Sequence, residues 1–337
     1  MNYYCYKCNK TLDEVKLPRC PECGQVYELQ YNYNNISHIL KEILGNKQMS
    51  HWKYHDLMPL KYHNIPNIIS MGEGNTPLIF KDGAYFKCEY FNPTGSFKDR
   101  ASALEVTLAQ GYDEIVVATT GNMGASLATY AAFAGIKCKI FIPSNIHNNK
   151  IEQMKMCSAE IVSIDGNYTN AMIAAEQYYL EHPNSYLAGD YGIRVEGTKS
   201  VGFEICEQLE WNVPDYIVVP VGNGTLLWAI FKAFDDLNMI GIIPRIPKII
   251  GVKSDNPETT MVSAIACPKP NAEYIVSQIA NNIINVTDDE IMFAREILAT
   301  NGFFVEPAGA TAFAGLQRIN IKGTIVVLLT GSGLKGL

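Results

Sequence analysis

From Glu114 onward the chain alternates short β-rich runs with helix-length apolar-periodic runs, and this alternation constrains its fold more than any other feature. Glu114 to Ala118 reads as a strand, Leu127 to Ala134 as a helix stopped by Gly135, and Lys137 to Ile142 as the next strand. Ile161 to Ile164 and Tyr168 to Leu180 repeat the pair, as do Asp215 to Val219 and Thr225 to Leu237. Lys248 to Val252, Asp288 to Thr300, Ala308 to Leu316 and Thr324 to Leu329 continue the theme. Such alternation predicts an α/β protein whose parallel sheets are covered by helices. No repeat or low-complexity segment is evident.

The 337 residues leave room for two domains around substantial cores, and 47% hydrophobic with 18% charged content is that of a soluble globular protein. No apolar run approaches the ~18 residues of a membrane span, so no membrane partner is expected. The opening Met1-Asn2-Tyr3-Tyr4-Cys5 does not read as a signal peptide, and the expected location is cytoplasmic. A net charge of -7 argues against nucleic acid as a partner. It also requires that any phosphate ligand be held by local donors.

The stretch Phe91-Asn92-Pro93-Thr94-Gly95-Ser96-Phe97-Lys98-Asp99-Arg100 joins a turn to the apolar-periodic run Ala101, Leu104, Leu108. Ser96 stands where an N-cap would, which puts Lys98 on the first helical turn. The positive end of a helix disfavours an ammonium group, so the amine is expected to have a lowered pKa. A neutral amine is what Schiff-base chemistry requires. The residues alone weigh that reading equally with a solvated surface lysine.

Four of the nine cysteines form two C-x2-C knuckles, Cys5 with Cys8 and Cys20 with Cys23. Four thiolates in paired knuckles suit a closed structural zinc site, with free thiols as the lesser alternative. Asn9 and Gly24 follow the two knuckles and tolerate left-handed backbone. Cys88, Cys138, Cys157, Cys206 and Cys267 read as small core residues. Residues 29–70 show no clear period, and His38, His51, His55 and His63 read as polar arm or linker residues rather than ligands.

Several strand-to-helix junctions carry polar residues. Pro220-Val221-Gly222-Asn223-Gly224-Thr225 can converge backbone N–H groups on a phosphate at a helix N-terminus, although Gly-x-Gly in such a turn is weak evidence. Thr119-Thr120-Gly121-Asn122-Met123 occupies another junction, where a helix cap is the plain alternative. Arg194 can recognise an oxyanion or make an ordinary surface ion pair.

The nine residues Asn92–Arg100 closely resemble the lysine motif of the threonine synthases, fold-type II pyridoxal-phosphate (PLP) enzymes, and further motifs recur in that family's order. The resemblance implies that Lys98 carries PLP as an internal aldimine and is the catalytic residue. It further implies that Gly222, Asn223, Gly224 and Thr225 hold the cofactor's phosphate, Asn122 its ring hydroxyl and Thr330 its pyridine nitrogen. Thr119, Thr120, Gly121 and Met123 would then form the loop over the substrate carboxylate, Arg194 would bind a substrate phosphate, and Glu306-Pro307-Ala308 would line the pocket. Some relatives carry a similar ribbon, supporting zinc on Cys5, Cys8, Cys20 and Cys23. The phosphate loop is shorter than the family's Gly-Asn-Ala-Gly-Asn, and Ser332 replaces a histidine. Ala188 and Gly189 stand where relatives have Asn and Ser, and Met123 where many have Thr.

The implied fold is two α/β domains with central sheets closing on PLP, plus a zinc ribbon. The ribbon would span 1–28, an arm or linker 29–70, the large PLP-binding domain 71–102 with 200–337, and the smaller domain 103–199. The implied reaction converts O-phosphohomoserine and water to threonine and phosphate in a homodimeric enzyme acting on a small, phosphorylated amino acid. One alternative is a PLP lyase or β-replacement enzyme acting on phosphoserine, serine or threonine; another is a non-catalytic zinc-ribbon scaffold kept for interaction.

Overall fold

The computed structural model describes residues 1–30, 50–62, 65–144, 149–268 and 270–336. Three short antiparallel strands open the chain: β1 (Asn2–Cys5), β2 (Lys10–Leu12) and β3 (Glu28–Gln30), in the order β2-β1-β3. They form the small ribbon. Asn9 at φ 52° and Gly24 at φ 72° make the left-handed turns that follow its two knuckles.

A hairpin of β4 (Leu78–Lys81) and β5 (Ala84–Cys88) precedes α1 (Lys98–Leu108). The alternation then runs β6 (Glu114–Ala118), α2 (Asn122–Ala134), β7 (Lys137–Pro143), α3 (Asn149–Met156), β8 (Glu160–Ile164), α4 (Tyr168–Glu181) and β9 (Ser185–Leu187). Two consecutive helices, α5 (Gly192–Thr198) and α6 (Ser200–Gln208), lead to β10 (Tyr216–Pro220) and α7 (Thr225–Met239). The chain continues through β11 (Lys248–Ser254), α8 (Glu273–Ile279), β12 (Asn282–Val286), α9 (Asp288–Thr300), α10 (Pro307–Gln317) and β13 (Ile325–Leu329).

The strands make two sheets. One has the order β8-β7-β6-β9 and is wholly parallel. The other has the order β12-β11-β10-β13-β5-β4, parallel except that β4 is antiparallel to β5 at its edge. The expected alternation is therefore observed, with one antiparallel hairpin added. Helices cover both faces, and β13 is buried along its whole length because β10 and β5 flank it. Each Val, Ile or Leu buried in this way contributes roughly 1.5–3 kcal/mol.

Residues 50–62 depart from the reading of an arm or linker. Trp52, Tyr54, Leu57 and Met58 are buried in the main core. His51 is fully buried too, its Nε2 3.2 Å from Glu73 and its Nδ1 3.3 Å from the Ser200 hydroxyl. It is a packed core histidine, whereas His38 and His63 lie outside the described residues. Among the described residues no helix is long and apolar enough to cross a membrane.

Candidate active site

In parallel sheets, strand carboxyl ends and helix amino ends point the same way, so connecting loops collect along one edge and leave a crevice. Here those loops follow β6, β9, β10 and β13, and α1 begins beside them. Lys98 is the first residue of α1, as expected, but Ser96 does not cap it. Phe97 precedes the helix in helical backbone, and no side chain caps that end. Asp99 instead folds back, accepting from the Thr94 N–H at 2.6 Å and the Thr94 hydroxyl at 2.5 Å, with Ser126 donating at 2.6 Å. Ser96 pairs with Gly331 as an isolated bridge, and the Phe97 N–H donates to the Thr330 carbonyl at 3.1 Å. That pairing brings the lysine loop against the end of β13.

The residue after Asp99 anchors the helix. Arg100 is fully buried, its Nε 2.7 Å from Glu89 and its Nη1 2.7 Å from Glu204, while Lys87 lies 2.8 Å from the other Glu204 oxygen. The motif thus divides its work: one residue faces the crevice, and its two successors lock the loop and helix. A buried charge cluster of this kind costs about 3–5 kcal/mol when one partner is removed.

Lys98, Gly222, Asn223, Gly224, Thr225, Ala308 and Thr330 line one cavity. Gly222 is required by close approach: a Cβ there would lie 2.2 Å from the Ala264 carbonyl oxygen. The next glycine in that loop, Gly224, is left-handed at φ +87° and leads directly into α7. A loop that tight leaves its N–H groups free to approach an anion at the helix N-terminus. This donor set fits a phosphate, with an amine and a neutral hydroxyl further along the cavity wall.

Lys98 is not a solvated surface lysine: its side chain is 19% exposed. Its pKa is lowered, as expected, although burial is the main cause, with Asp190 raising it and Arg194 lowering it further. Asp190 was not marked by any motif. It follows β9, is buried in the cavity wall, and stands 3.5 Å from the Lys98 Nζ. Burial pushes its carboxyl up, but Lys98, Arg194, Asn223 and Thr225 together hold it below the usual carboxylate range.

Other expected residues fall outside that cavity wall. Asn122 Nδ2 donates to Glu306 at 2.6 Å, and its buried Oδ1 has no partner among the described residues. It remains adjacent to the end of β13, 3.2 Å from where a Gly331 Cβ would lie. Thr119, Thr120 and Gly121 form the turn from β6 into α2, with the Gly121 N–H donating to Thr119 at 3.3 Å. Met123 packs into the core, and its thioether has no hydrogen to donate.

Arg194 is buried and ion-paired to Glu105, a partner 89 residues earlier. It is not the surface pair considered from sequence. Its Nε and Nη1 have no partner among the described residues, leaving two donors. Burial pushes the Glu105 carboxyl up against the lowering effect of Arg194. A second, much smaller crevice shares Asp190 with the first, and Ala188 and Gly189 line it without side-chain donors.

The ribbon brings its four thiols together: one sulfur from each of Cys5, Cys8, Cys20 and Cys23 lies within 4.8 Å of the others. Cys5 and Cys23 sulfurs are 3.5 Å apart, and those of Cys8 and Cys20 3.8 Å. A tetrahedron with Zn–S near ~2.3 Å has edges of about 3.8 Å, so the donors fit that metal. Of the other five cysteines, Cys88, Cys138 and Cys206 are buried and Cys157 partly so. Cys267 is more than core filling, because its thiol lies 2.9 Å from Asn223 Oδ1.

Residues 69–331 match the family model described as pyridoxal-phosphate dependent enzyme. The chain is 35% identical to a threonine synthase of Methanocaldococcus jannaschii, over 98% of this chain and 92% of that protein. It is 34% identical to that of Methanosarcina acetivorans, over 98% and 91%, and 36% identical to one from a Bacillus species, over 79% and 85%. Maize serine racemase superposes with a TM-score of 0.67 at 21% identity, covering 77% of this chain and 88% of that one. Cysteine synthase from Entamoeba histolytica gives 0.67 at 23% identity, covering 80% and 88%.

Proposed function

The chain belongs to the pyridoxal-phosphate dependent enzymes and within them to the threonine synthases, and from that premise we propose that it converts O-phosphohomoserine and water to threonine and phosphate. The observation that carries this reading is the single cavity shared by Lys98, the Gly222–Thr225 loop and Thr330. An enzyme of this family, with that cavity, leaves the non-catalytic alternative without support.

When bound, the cofactor supplies an electron sink for the substrate α-carbon. Gly222, Asn223, Gly224 and Thr225 hold its phosphate at the start of α7, and Thr330 offers the ring nitrogen a neutral hydroxyl. Lys98 would be the residue that holds the cofactor's carbonyl end. Its amine would take the substrate's α-proton and serve as acid and base in the loss of phosphate from the γ-carbon and the addition of water at the β-carbon. Burial lowers the amine's pKa, which favours the neutral form that accepts a proton. Zinc on the four ribbon cysteines is structural, because all four ligands come from the protein and none is left open.

Replacing Gly222 with alanine is expected to weaken PLP binding by at least about tenfold. The added methyl would meet the Ala264 carbonyl oxygen, which is backbone and yields little. A titration followed by the cofactor's visible absorbance checks it; unchanged affinity would place the phosphate elsewhere.

The substrate phosphate is assigned to Arg194 because its guanidinium keeps two donors without partners. Losing a charge-assisted contact costs roughly 1.5–3 kcal/mol, one to two orders of magnitude in kcat/KM. Arg194→Gln also strands Glu105, so the informative quantity is a ratio. Turnover of O-phosphohomoserine should fall far more than deamination of serine or threonine. A second reading, a PLP lyase or β-replacement enzyme acting on phosphoserine, serine or threonine, is favoured by Ala188 and Gly189, which bring no side-chain donors for a substrate phosphate. A wild-type panel scoring phosphate release and threonine formation decides between them. Rapid keto-acid release from threonine without phosphate release from O-phosphohomoserine would replace the first reading with the second.

A further inference from the structure

We infer that Asp190 is an internal competitor for the donors that hold the cofactor's phosphate, and that its carboxylate thereby sets the affinity for PLP. The inference rests on the reading of the main cavity as the PLP site. Asp190 follows β9 in the smaller sheet, whereas Asn223 and Thr225 follow β10 in the larger one. The side chain therefore reaches from one sheet's loops to the other's. Asn223 Nδ2 donates to Asp190 Oδ2 at 2.7 Å, and the Thr225 hydroxyl donates to Oδ1 at 3.2 Å. Lys98 Nζ stands 3.5 Å from that same Oδ1.

These are the groups a phosphorylated aldehyde needs: two side-chain donors from its phosphate loop and the amine that takes its carbonyl carbon. A carboxylate satisfies them because it presents two acceptor oxygens, as a phosphate presents three. Both anions cannot keep the same donors. When a phosphate takes Asn223 and Thr225, the carboxylate is left beside it in a wall that is 8% exposed at this residue. Arg194 also acts on the carboxylate, although its ion pair is with Glu105. Asp190 thus opposes cofactor binding at the phosphate end, where like charges meet.

Asp190→Asn keeps the shape and two polar atoms while removing the charge. The full-length wild-type and variant chains, stripped of cofactor, are titrated with PLP and separately with pyridoxal, which lacks the phosphate. Visible absorbance and equilibrium dialysis give the dissociation constants. The expected result is that Asp190→Asn binds PLP about tenfold more tightly, with the preference for PLP over pyridoxal rising by a similar factor. Unchanged or weaker PLP binding by a variant of unaltered circular dichroism overturns the inference. An equal gain for both ligands also overturns it, because that result ties Asp190 to Lys98 alone. If the asparagine variant fails to fold, Asp190→Ser carries the same expectation. Absence of PLP binding by the wild type would instead defeat the cofactor reading on which the inference stands.

Discussion

Substituting Lys98 by alanine is expected to abolish turnover, a loss of at least about 10²–10⁴-fold, while the fold persists. The amine is both the attachment point for the cofactor and the base that moves the substrate's protons, so no neighbour replaces it. Borohydride reduction of the wild type followed by peptide mapping should label Lys98 alone. Three other lysines are poor competitors. Lys150 is paired with Glu306 at 3.0 Å, and Lys199 is fully buried against Glu196 at 2.5 Å and Asp236 at 2.7 Å. Lys155 is an exposed helix residue paired with Glu152. Label on any of them would overturn the site.

The pH dependence of labelling has a definite sign. Burial lowers the Lys98 pKa from the ordinary value of 10.5, Asp190 raises it and Arg194 lowers it again. Capture of an aldehyde requires the neutral amine, so the rate should rise with pH and level off at lower pH than for a free lysine. A midpoint at or above the ordinary lysine value would show that the Asp190 charge outweighs burial.

Removing the ribbon's metal is expected to have the next largest effect. The four-cysteine segment buries little of its own: Cys5, Cys20 and Tyr27 form its cluster. Metal binding in so small a segment is folding free energy, on the order of several kcal/mol in an intact domain. Cys5→Ser or Cys20→Ser should therefore lower the Tm and the zinc content from about one per chain, the four-ligand stoichiometry. The ribbon also touches the site's frame. Arg19 bonds Glu176 at 2.8 Å and Asn271 at 3.3 Å, Lys232 lies 3.2 Å from Glu28, and Gly192 approaches Tyr27 so closely that a Cβ would be 2.5 Å from its carbonyl oxygen. Gly192 begins the helix that carries Arg194, and Asn271 donates its N–H to Asn223 at 3.4 Å. Loss of metal should thus weaken PLP retention as a consequence of lost packing. Metal analysis of protein prepared without chelator is the check, and a zinc-free, fully stable preparation would end the four-thiolate reading.

What the sequence determined by itself is whatever depends on near neighbours along the chain. Periods of two and 3.6 residues set the strands and helices, and Gly135 ends α2 in the left-handed conformation at φ 70°. The C-x2-C pairs with Asn9 and Gly24 set the ribbon's turns, and the spacing in Asn92–Arg100 put Lys98 on a first helical turn. What only the tertiary structure decided depends on residues distant in the chain. Burial is the main cause that lowers the Lys98 pKa, and burial is a property of the assembled crevice. Glu105 claims Arg194 because α1 packs on α5, and Asp190 meets Asn223 and Thr225 because two sheets bring their loops together. Trp52 and His51 carry no periodic signal, since each is buried by partners outside its own segment. A single chain's local pattern encodes geometry over a few residues, whereas charge and solvent exposure at a site are sums over everything the fold places around it.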